Sequence, residues 1–464
     1  MHIQPSRADL AAPPLRSALS PRTRLLLEGR VVPTLLRLAW PNTLVMLAQA
    51  SVGLIETWWV GQLGTEALAG MALVFPGFMM MQMLSGGAIG GGIASAIARA
   101  LGANRREDAD ALVLHALVVN VALGLVFTGL LLGFGAALYA ALGGEGEALQ
   151  AALLYSDVAF GGAVLTWIGN AFASVLRGTG TMLLPSVAII AGVVLLVPLS
   201  PLLIFGWGPV PALGIAGAGW AVVAGSALSA LLLGWAVCTG RSPARLRPAR
   251  LRWALFRDIL GVGAVASVST LQTTLTIALT TAVVARAGGT DAVAGYGTGT
   301  RLEYLLIPLV FGLGAPLVAM VGTNIGAGQT ARALRIALTG GALAFLVTEA
   351  VGLAAAAWPE AWLGLFGAEP AMLATGAAYL RLVGPAYGFF GLGLSLYFAS
   401  QGAGRLGWPL LAGLLRLVVA VGGGWLALRL GGSLDWVFAA LALGLCTYGI
   451  VLTTVIAAGS WSRR

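Results

Sequence analysis

The stretch Gly64-Thr65-Glu66-Ala67-Leu68-Ala69-Gly70 returns as Gly289-Thr290-Asp291-Ala292-Val293-Ala294-Gly295, an offset of 225 residues. Gly102-Ala103 returns as Gly326-Ala327, and Gly178, Gly180 and Pro185 return as Gly402, Gly404 and Pro409, all at an offset of 224. Landmarks spread this widely that agree within one position mark an internal duplication. The chain reads as two copies of one unit, 35–239 and 258–459, joined by an Arg-rich linker, 240–257. Short tails at 1–34 and 460–464 are expected on the cytoplasmic side.

Composition says where such a duplication lives. The 464 residues are 59% hydrophobic and 9% charged, with a mean hydropathy of +0.93, whereas a soluble domain carries roughly 25% charged residues. A water-soluble enzyme is thereby excluded. The 67 glycines have no G-X-Y period. All 26 basic residues are Arg, giving a net charge of +9, but they fall between apolar runs rather than on a soluble basic face, so no nucleic-acid partner is expected. Cys238 and Cys446 form no disulfide framework or metal-ligand spacing and read as small core residues. The first 32 residues hold several arginines and prolines without an apolar h-region, which reads as a cytoplasmic tail without fixed structure rather than a signal peptide.

A membrane span takes about 20 apolar residues. Twelve such stretches are present, at 35–60, 67–98, 111–141, 150–176, 185–206, 217–239, 258–286, 292–324, 333–357, 371–400, 409–429 and 436–459; they are numbered spans 1 to 12 below. Arginines collect in alternate connections: Arg7 to Arg37 before or at the start of span 1, Arg99, Arg105 and Arg106, Arg177, Arg241 to Arg257, Arg332 and Arg335, Arg405, and Arg463 and Arg464. The opposite connections hold only Arg286 and Arg429, with Glu66, Glu145, Glu147, Asp291, Glu360, Glu369 and Asp435. Because positive loops stay in the cytoplasm, both termini are expected inside, in a multi-pass plasma (inner) membrane protein. Tryptophans at both sets of span ends fit interfacial belts. Six spans per copy is an even number, so both copies enter the membrane the same way. The expected fold is an all-α polytopic membrane protein, twelve transmembrane helices in two six-helix lobes related by a pseudo-two-fold axis along the membrane normal. Repeats of this kind place a substrate path between halves that move against each other.

Ionisable residues inside spans are costly and are functional candidates. Span 1 carries Asn42, Gln49 and Glu56 at heptad spacing, one helical face; span 7 carries Ser267, Thr274 and Thr281 at the equivalent positions. The two spans are expected to face one aqueous cleft, together with Gln82 and Asn170. The alternative for the hydroxyls is bonding to their own backbone. Glu56 lies about 7 Å inside its span end, where a carboxyl that is neutral when closed off and charged when wetted acts as a proton switch; its oxygens could equally hold Na⁺. Pro41 removes a helical hydrogen bond and offers a hinge. Asp157 in span 4 and Arg381 in span 10 occupy equivalent positions and could pair as a gate. Glu303, about 18 Å into span 8, is the leading carboxylate of the second copy. Glu349 and Arg416 lie nearer span ends, where lipid or interface contact is expected. Met79 to Met83 read as core, Gly86 to Gly92 as a face for close helix contact, and His115 as structural.

These residues carry a resemblance. Leu38-Ala39-Trp40-Pro41, Gly53-Leu54-Ile55-Glu56-Thr57 running into Val60-Gly61-Gln62-Leu63-Gly64, Arg177-Gly178-Thr179-Gly180, Arg301-Leu302-Glu303, Gly322 to Gly328 and Gln401 to Arg405 together resemble the multidrug and toxic compound extrusion (MATE) transporters over nearly the whole length. The resemblance implies two lobes that alternate access and expel cationic, amphipathic drugs in exchange for H⁺ or Na⁺, with Glu56 on the position of the family's acidic residue in the first helix. Two departures stand out. Leu196 and Ser200 occupy positions where many members have amide or acidic residues, and no carboxylate stands near Thr274. Both weaken a Na⁺ site, which wants several oxygens, and favour H⁺.

The expected function is thus secondary antiport of amphipathic, cationic organic compounds, with coupling residues Glu56, Gln49, Asp157 and Glu303. The partners are a small-molecule substrate, the coupling cation and membrane lipid; no cofactor, metal or nucleic acid is expected, and the chain is expected to act as a monomer. The alternatives are a flippase for a lipid-linked saccharide and, from another class, a membrane-embedded enzyme or receptor, for which no catalytic motif is present.

Overall fold

The computed structural model describes residues 19–367 and 369–461. The tail residues 1–18 and 462–464, with Arg7, Arg16, Arg463 and Arg464, lie outside the described residues, as do the side chains of Thr290 and Asp291. The apolar runs form helices because in lipid every backbone N–H and C=O must be bonded within its own segment. The helices are Val31–Gly61, Thr65–Gly102, Arg106–Ala141, the pair Gly146–Gly161 and Ala163–Gly178, Leu183–Phe205 and Ile215–Cys238, then Trp253–Gly289, Ala292–Gly326, Thr330–Ala357, Pro370–Ala403, Gly407–Arg429 and Leu434–Ala457. They correspond in order to spans 1 to 12.

The duplication is visible in the backbone. Gly64 and Gly289, equivalent in the repeat, both take positive φ (116° and 67°), and so do Gly180 and Gly404 (78° and 73°), where an L side chain would be strained. Span 4 bends by 45° at Gly162. Span 10 breaks at the equivalent place, a 3₁₀ turn over Gly384–Ala386 that contains Pro385. Span 2 holds a π-helical turn at Met83–Ile89 and span 11 another at Val418–Gly422. Their repeat equivalents carry Pro308 in span 8 and Pro198 in span 5, so the two copies loosen matching turns by different means.

The first lobe packs around Phe127, Phe160, Trp167 and Leu176. The second packs around Tyr379, Tyr387 and Phe438. Large apolar side chains such as Leu54, Leu125, Phe134 and Leu231 remain more than half exposed, as expected for surface that meets lipid rather than water.

The lobes meet on the face that carries the 240–257 linker. At Gly102 an added Cβ would strike the Thr323 carbonyl, and at Gly326 it would strike the Arg99 carbonyl. Residues 99 and 323 are themselves repeat equivalents, so the two-fold axis passes through this crossing of spans 2 and 8. Gly91 lies against the Gln401 side chain and Gly92 against the Ile259 carbonyl, which makes the glycine face of span 2 an interlobe surface. Ser95 Oγ donates to the Gln401 carbonyl at 2.5 Å, Gln401 Nε2 donates to the Gly87 carbonyl at 3.2 Å, and Arg99 pairs with Asp258 at 2.5 Å. All of these contacts lie in the linker-side half of the molecule.

The chain before span 1 contributes to the same seal. Where the sequence predicts a tail without fixed structure, Pro21–Glu28 forms a helix capped by Ser20. Leu26 of that helix is buried, its carbonyl accepts from Asn324 at 3.0 Å, and Arg22 bonds Thr181 of the other lobe. Two further expectations are corrected. Cys238 is exposed at the end of its span rather than in the core. Of these methionines, Met81 is buried, but Met79, Met80 and Met83 are exposed, because positions 79–83 run round more than a full helical turn and cannot share one face.

The crossing yields a stability prediction. Gly102→Ala and Gly326→Ala should each lower the stability of the purified protein by about 1–3 kcal/mol through overpacking. Gly129→Ala, at a helical glycine with open space around it, should leave it unchanged or raise it slightly. Thermal unfolding in detergent compares the three.

Candidate functional site

Glu56 is buried in the first lobe, 7% exposed, with Oε1 unpartnered. One turn earlier Val52 shares a buried apolar cluster with Leu196 of span 5; spans 1 and 5 run in the same direction, so one turn further on Glu56 and Ser200 lie in the same region of the lobe. Ser200 Oγ is also buried without a partner, as is Trp59 Nε1, whose ring packs on Phe205 at 6.1 Å. Tyr155 of span 4 lies within electrostatic reach of the Glu56 carboxyl. No cation pairs with Glu56 among the described residues. Three unsatisfied polar atoms in one region of an apolar lobe are a demand for a proton, a water or an ion. Among the described residues no three His, Cys, Asp or Glu side chains converge to hold a metal.

The heptad stripe of span 1 does not line one cleft. Asn42 is buried and donates to the carbonyls of Phe311 and Gly312 in span 8, at 3.0 and 3.5 Å, Gln49 is exposed, and Glu56 turns into its own lobe. A straight helix drifts by ~20° per heptad, and the stripe begins where the lobes touch and ends where they do not. Pro41 sits inside a helix that runs on through it, one residue before the Asn42 anchor. In span 7, Ser267 bonds the Gly263 carbonyl at 2.9 Å, Thr274 that of Thr270 at 3.2 Å and Thr281 that of Ile277 at 2.9 Å, each four residues back. The bonding of these hydroxyls is therefore internal to the helix. Gln82 and Asn170 do come together: Asn170 Nδ2 donates to Gln82 Oε1 at 3.1 Å and to Ser85 Oγ at 2.8 Å. The π-helical turn Met83–Ile89 presents Ser85 to this cluster.

In the second lobe Glu303 is met by Arg416 at 3.4 Å and by the Tyr379 hydroxyl at 3.3 Å. Arg416 also faces the rings of Phe390 and Tyr448, at 5.7 and 5.9 Å. Arg416 is thus an interior counter-charge, correcting the lipid or interface contact expected of it. Glu349 is corrected likewise: its Oε2 accepts from the Gly388 amide at 2.7 Å, a donor freed by the break in span 10. Asp157 and Arg381 do not pair in this structure. Arg381 bonds Glu360 at 2.9 Å and both are exposed, while Asp157 is exposed on span 4 within reach of Tyr139.

His115 is fully buried and anchors the linker, Nδ1 against the Ala111 carbonyl at 2.7 Å and Nε2 accepting from the Arg252 amide at 2.8 Å. The Arg99–Asp258 pair across the seal was missed by sequence reasoning. The available signal was Asp258 itself, an acid at the end of an Arg-rich segment. For the interior pair, removing Arg416 strands a half-buried carboxylate. Arg416→Gln should lower stability by about 1–3 kcal/mol, and adding Glu303→Gln should recover most of the loss, a coupling that a double-mutant cycle by thermal unfolding measures.

Comparison with known proteins agrees with this architecture. The sequence model of the MatE family matches residues 41–202 and again 265–426, two copies at the 224-residue offset of the repeat. The chain is similar to an FAD transporter of Shewanella oneidensis, 27% identical over 81% of this chain and 82% of that protein. It is similar to probable multidrug resistance proteins NorM of Thermotoga maritima (24%, 80% of each) and Deinococcus radiodurans (30%, 66% and 67%). Among solved structures, a MOP superfamily transporter of Pyrococcus furiosus superposes with a TM-score of 0.86 at 25% identity, over 96% of this chain and 100% of that one. A multidrug resistance MATE family transporter in an outward-facing conformation gives 0.86 at 25%, over 96% and 98%. A membrane-embedded enzyme or receptor is thereby set aside. The chain belongs to the MatE family and is a multi-pass membrane transporter of the multidrug efflux type.

Proposed function

We propose that the protein is an H⁺-coupled antiporter that expels amphipathic, cationic organic compounds from the cytoplasm by rocking its two lobes. The observation that carries this reading is Glu56, a buried carboxyl with an unpartnered oxygen and, among the described residues, no paired cation. In a dry pocket such a group is held as the neutral acid, and wetting or an approaching cation releases the proton. The lobes are sealed on the linker face, which the arginine distribution assigns to the cytoplasm, so the described conformation corresponds to the stage at which substrate has left inward contact and the far half is the accessible one.

Charge supports the substrate class. Arg381 and Arg416 are neutralised by Glu360 and Glu303 and Arg301 lies over the Phe366 ring at 5.1 Å, whereas Glu56 and Asp157 have no paired cation among the described residues. Asp157 remains available as a gate residue with Arg381 in another conformation, and Gln82, Ser85 and Asn170 offer hydrogen bonds beside the cleft. Pro41, next to the Asn42 anchor on span 8, is placed to hinge span 1. Coupling to Na⁺ is disfavoured by Leu196 and, among the described residues, by the lack of a group of three or more carboxylate, His or Cys side chains that could hold an ion. A second reading, export of a flavin nucleotide, is favoured by the similarity to the Shewanella oneidensis FAD transporter.

Vesicles reconstituted with the protein separate these readings. An imposed H⁺ gradient should drive export of a cationic dye, an equal Na⁺ gradient should not, and Glu56→Gln should abolish transport while the protein remains folded. Dye export driven by Na⁺ alone, or full H⁺-driven export by the variant, overturns the coupling. Export of FAD in preference to the dye replaces the substrate assignment.

A further inference from the structure

Of the two arginines of the far face, Arg286 lines a groove and Arg429 stacks on Trp425, a residue that lines it. The groove opens between the far ends of spans 7 and 11, has a volume of about 310 Å³, and is lined by Leu279, Ala282, Val421, Gly422 and Trp425 with Arg286 at the rim. Arg429 stacks over the Trp425 ring at 4.9 Å, which brings a second guanidinium to the same edge. The π-helical turn Val418–Gly422 ends at the groove, and the small residues Ala282 and Gly422 are among those that line it. Both arginines are exposed and in the last turns of their spans, at the depth of lipid headgroups, and neither forms an ion pair among the described residues.

The internal duplication supplies a comparison. In the first lobe the equivalent positions are Gly61 for Arg286, Pro201 for Trp425 and Phe205 for Arg429. There the rings of Trp59 and Phe205 close on each other and no cation is present. The second lobe has therefore opened this groove and placed two positive charges at its mouth, on a face whose other connections are acidic.

We propose that the groove between spans 7 and 11 binds one anionic phospholipid of the leaflet opposite the linker, with the headgroup phosphate between Arg286 and Arg429 and an acyl chain along the apolar floor. Guanidinium forks suit phosphate oxygens, Trp425 sits at the interface between chain and headgroup as such rings do, and a volume at the lower end of ligand pockets, ~300–1,000 Å³, suits one chain rather than a bulky solute. Two rim cations also repel a cationic compound, so the groove is distinct from a drug path. The inference does not depend on the direction of transport or on the coupling ion.

Native mass spectrometry of the full chain in detergent, titrated with phosphatidylglycerol or with phosphatidylcholine of the same acyl chains, tests it. The first phosphatidylglycerol should bind about thirtyfold more tightly than phosphatidylcholine, from roughly 1 kcal/mol for each of the two arginines. Arg286→Gln/Arg429→Gln should remove that preference, Arg286→Lys/Arg429→Lys should keep most of it, and Arg247→Gln/Arg250→Gln on the linker face should leave the tightest adduct intact. A photoreactive phosphatidylglycerol should label the segments around residues 279–286 and 421–429. An unchanged preference in the glutamine double variant, equal loss in the linker variant, or labelling confined to other segments overturns the proposal. Unchanged phosphatidylcholine binding in the double variant shows that it is folded.

Discussion

The structure turns on the crossing of spans 2 and 8. Two glycines, Gly102 and Gly326, let each helix press its backbone onto a carbonyl of the other, at Thr323 and Arg99, and the crossing is two-fold symmetric down to the residues involved. Close backbone approach through small residues is how helices associate in lipid, where apolar burial supplies little preference between protein and acyl chains. Everything else on the linker face consolidates that contact: Ser95 on the Gln401 carbonyl, Arg99 on Asp258, Asn324 on the Leu26 carbonyl. The seal combines these hydrogen bonds and the ion pair with apolar contacts between the lobes, such as Ala88 with Val262 and Ala266 and Ala94 with Leu317 and Val318.

Away from the crossing the molecule is organised differently. Each lobe keeps its own aromatic core, and the carboxyls set into those cores differ in their surroundings. In the second lobe, Glu303 is answered by Arg416 and Tyr379. In the first lobe, Glu56, Ser200 and Trp59 each keep an atom unanswered. The duplicated halves have thus diverged in chemistry while keeping matched bends at spans 4 and 10 and loosened turns in spans 2, 5, 8 and 11. In the proposed mechanism the lobe whose carboxyl is unpaired is the one that responds to a proton.

Much of this was legible in the sequence because it depends on composition and period. Twelve apolar runs, the duplication at 224–225 residues and the glycines at 102 and 326 needed no coordinates, and Glu56 stood out as an acid in an apolar run. What was not legible were the partners. The heptad Asn42, Gln49, Glu56 gives one face, but which lobe that face meets changes along the helix. Arg416 looked peripheral by its distance from the span end, yet a long side chain and the π-helical turn beside it bring it to Glu303. The span 7 hydroxyls show a stripe in sequence whatever they bond, and they bond their own carbonyls. The helix Pro21–Glu28 was hidden because its apolar surface is only Leu25 to Leu27, too short to register as periodicity.

In the proposed mechanism substrate and proton compete for the unpaired carboxyl of the first lobe. The most direct measurement is proton release from the purified protein in weakly buffered detergent solution when a cationic dye is added. The wild-type protein should release protons in proportion to dye bound, and Glu56→Gln should bind dye with no release. Equal release from the variant would contradict the account.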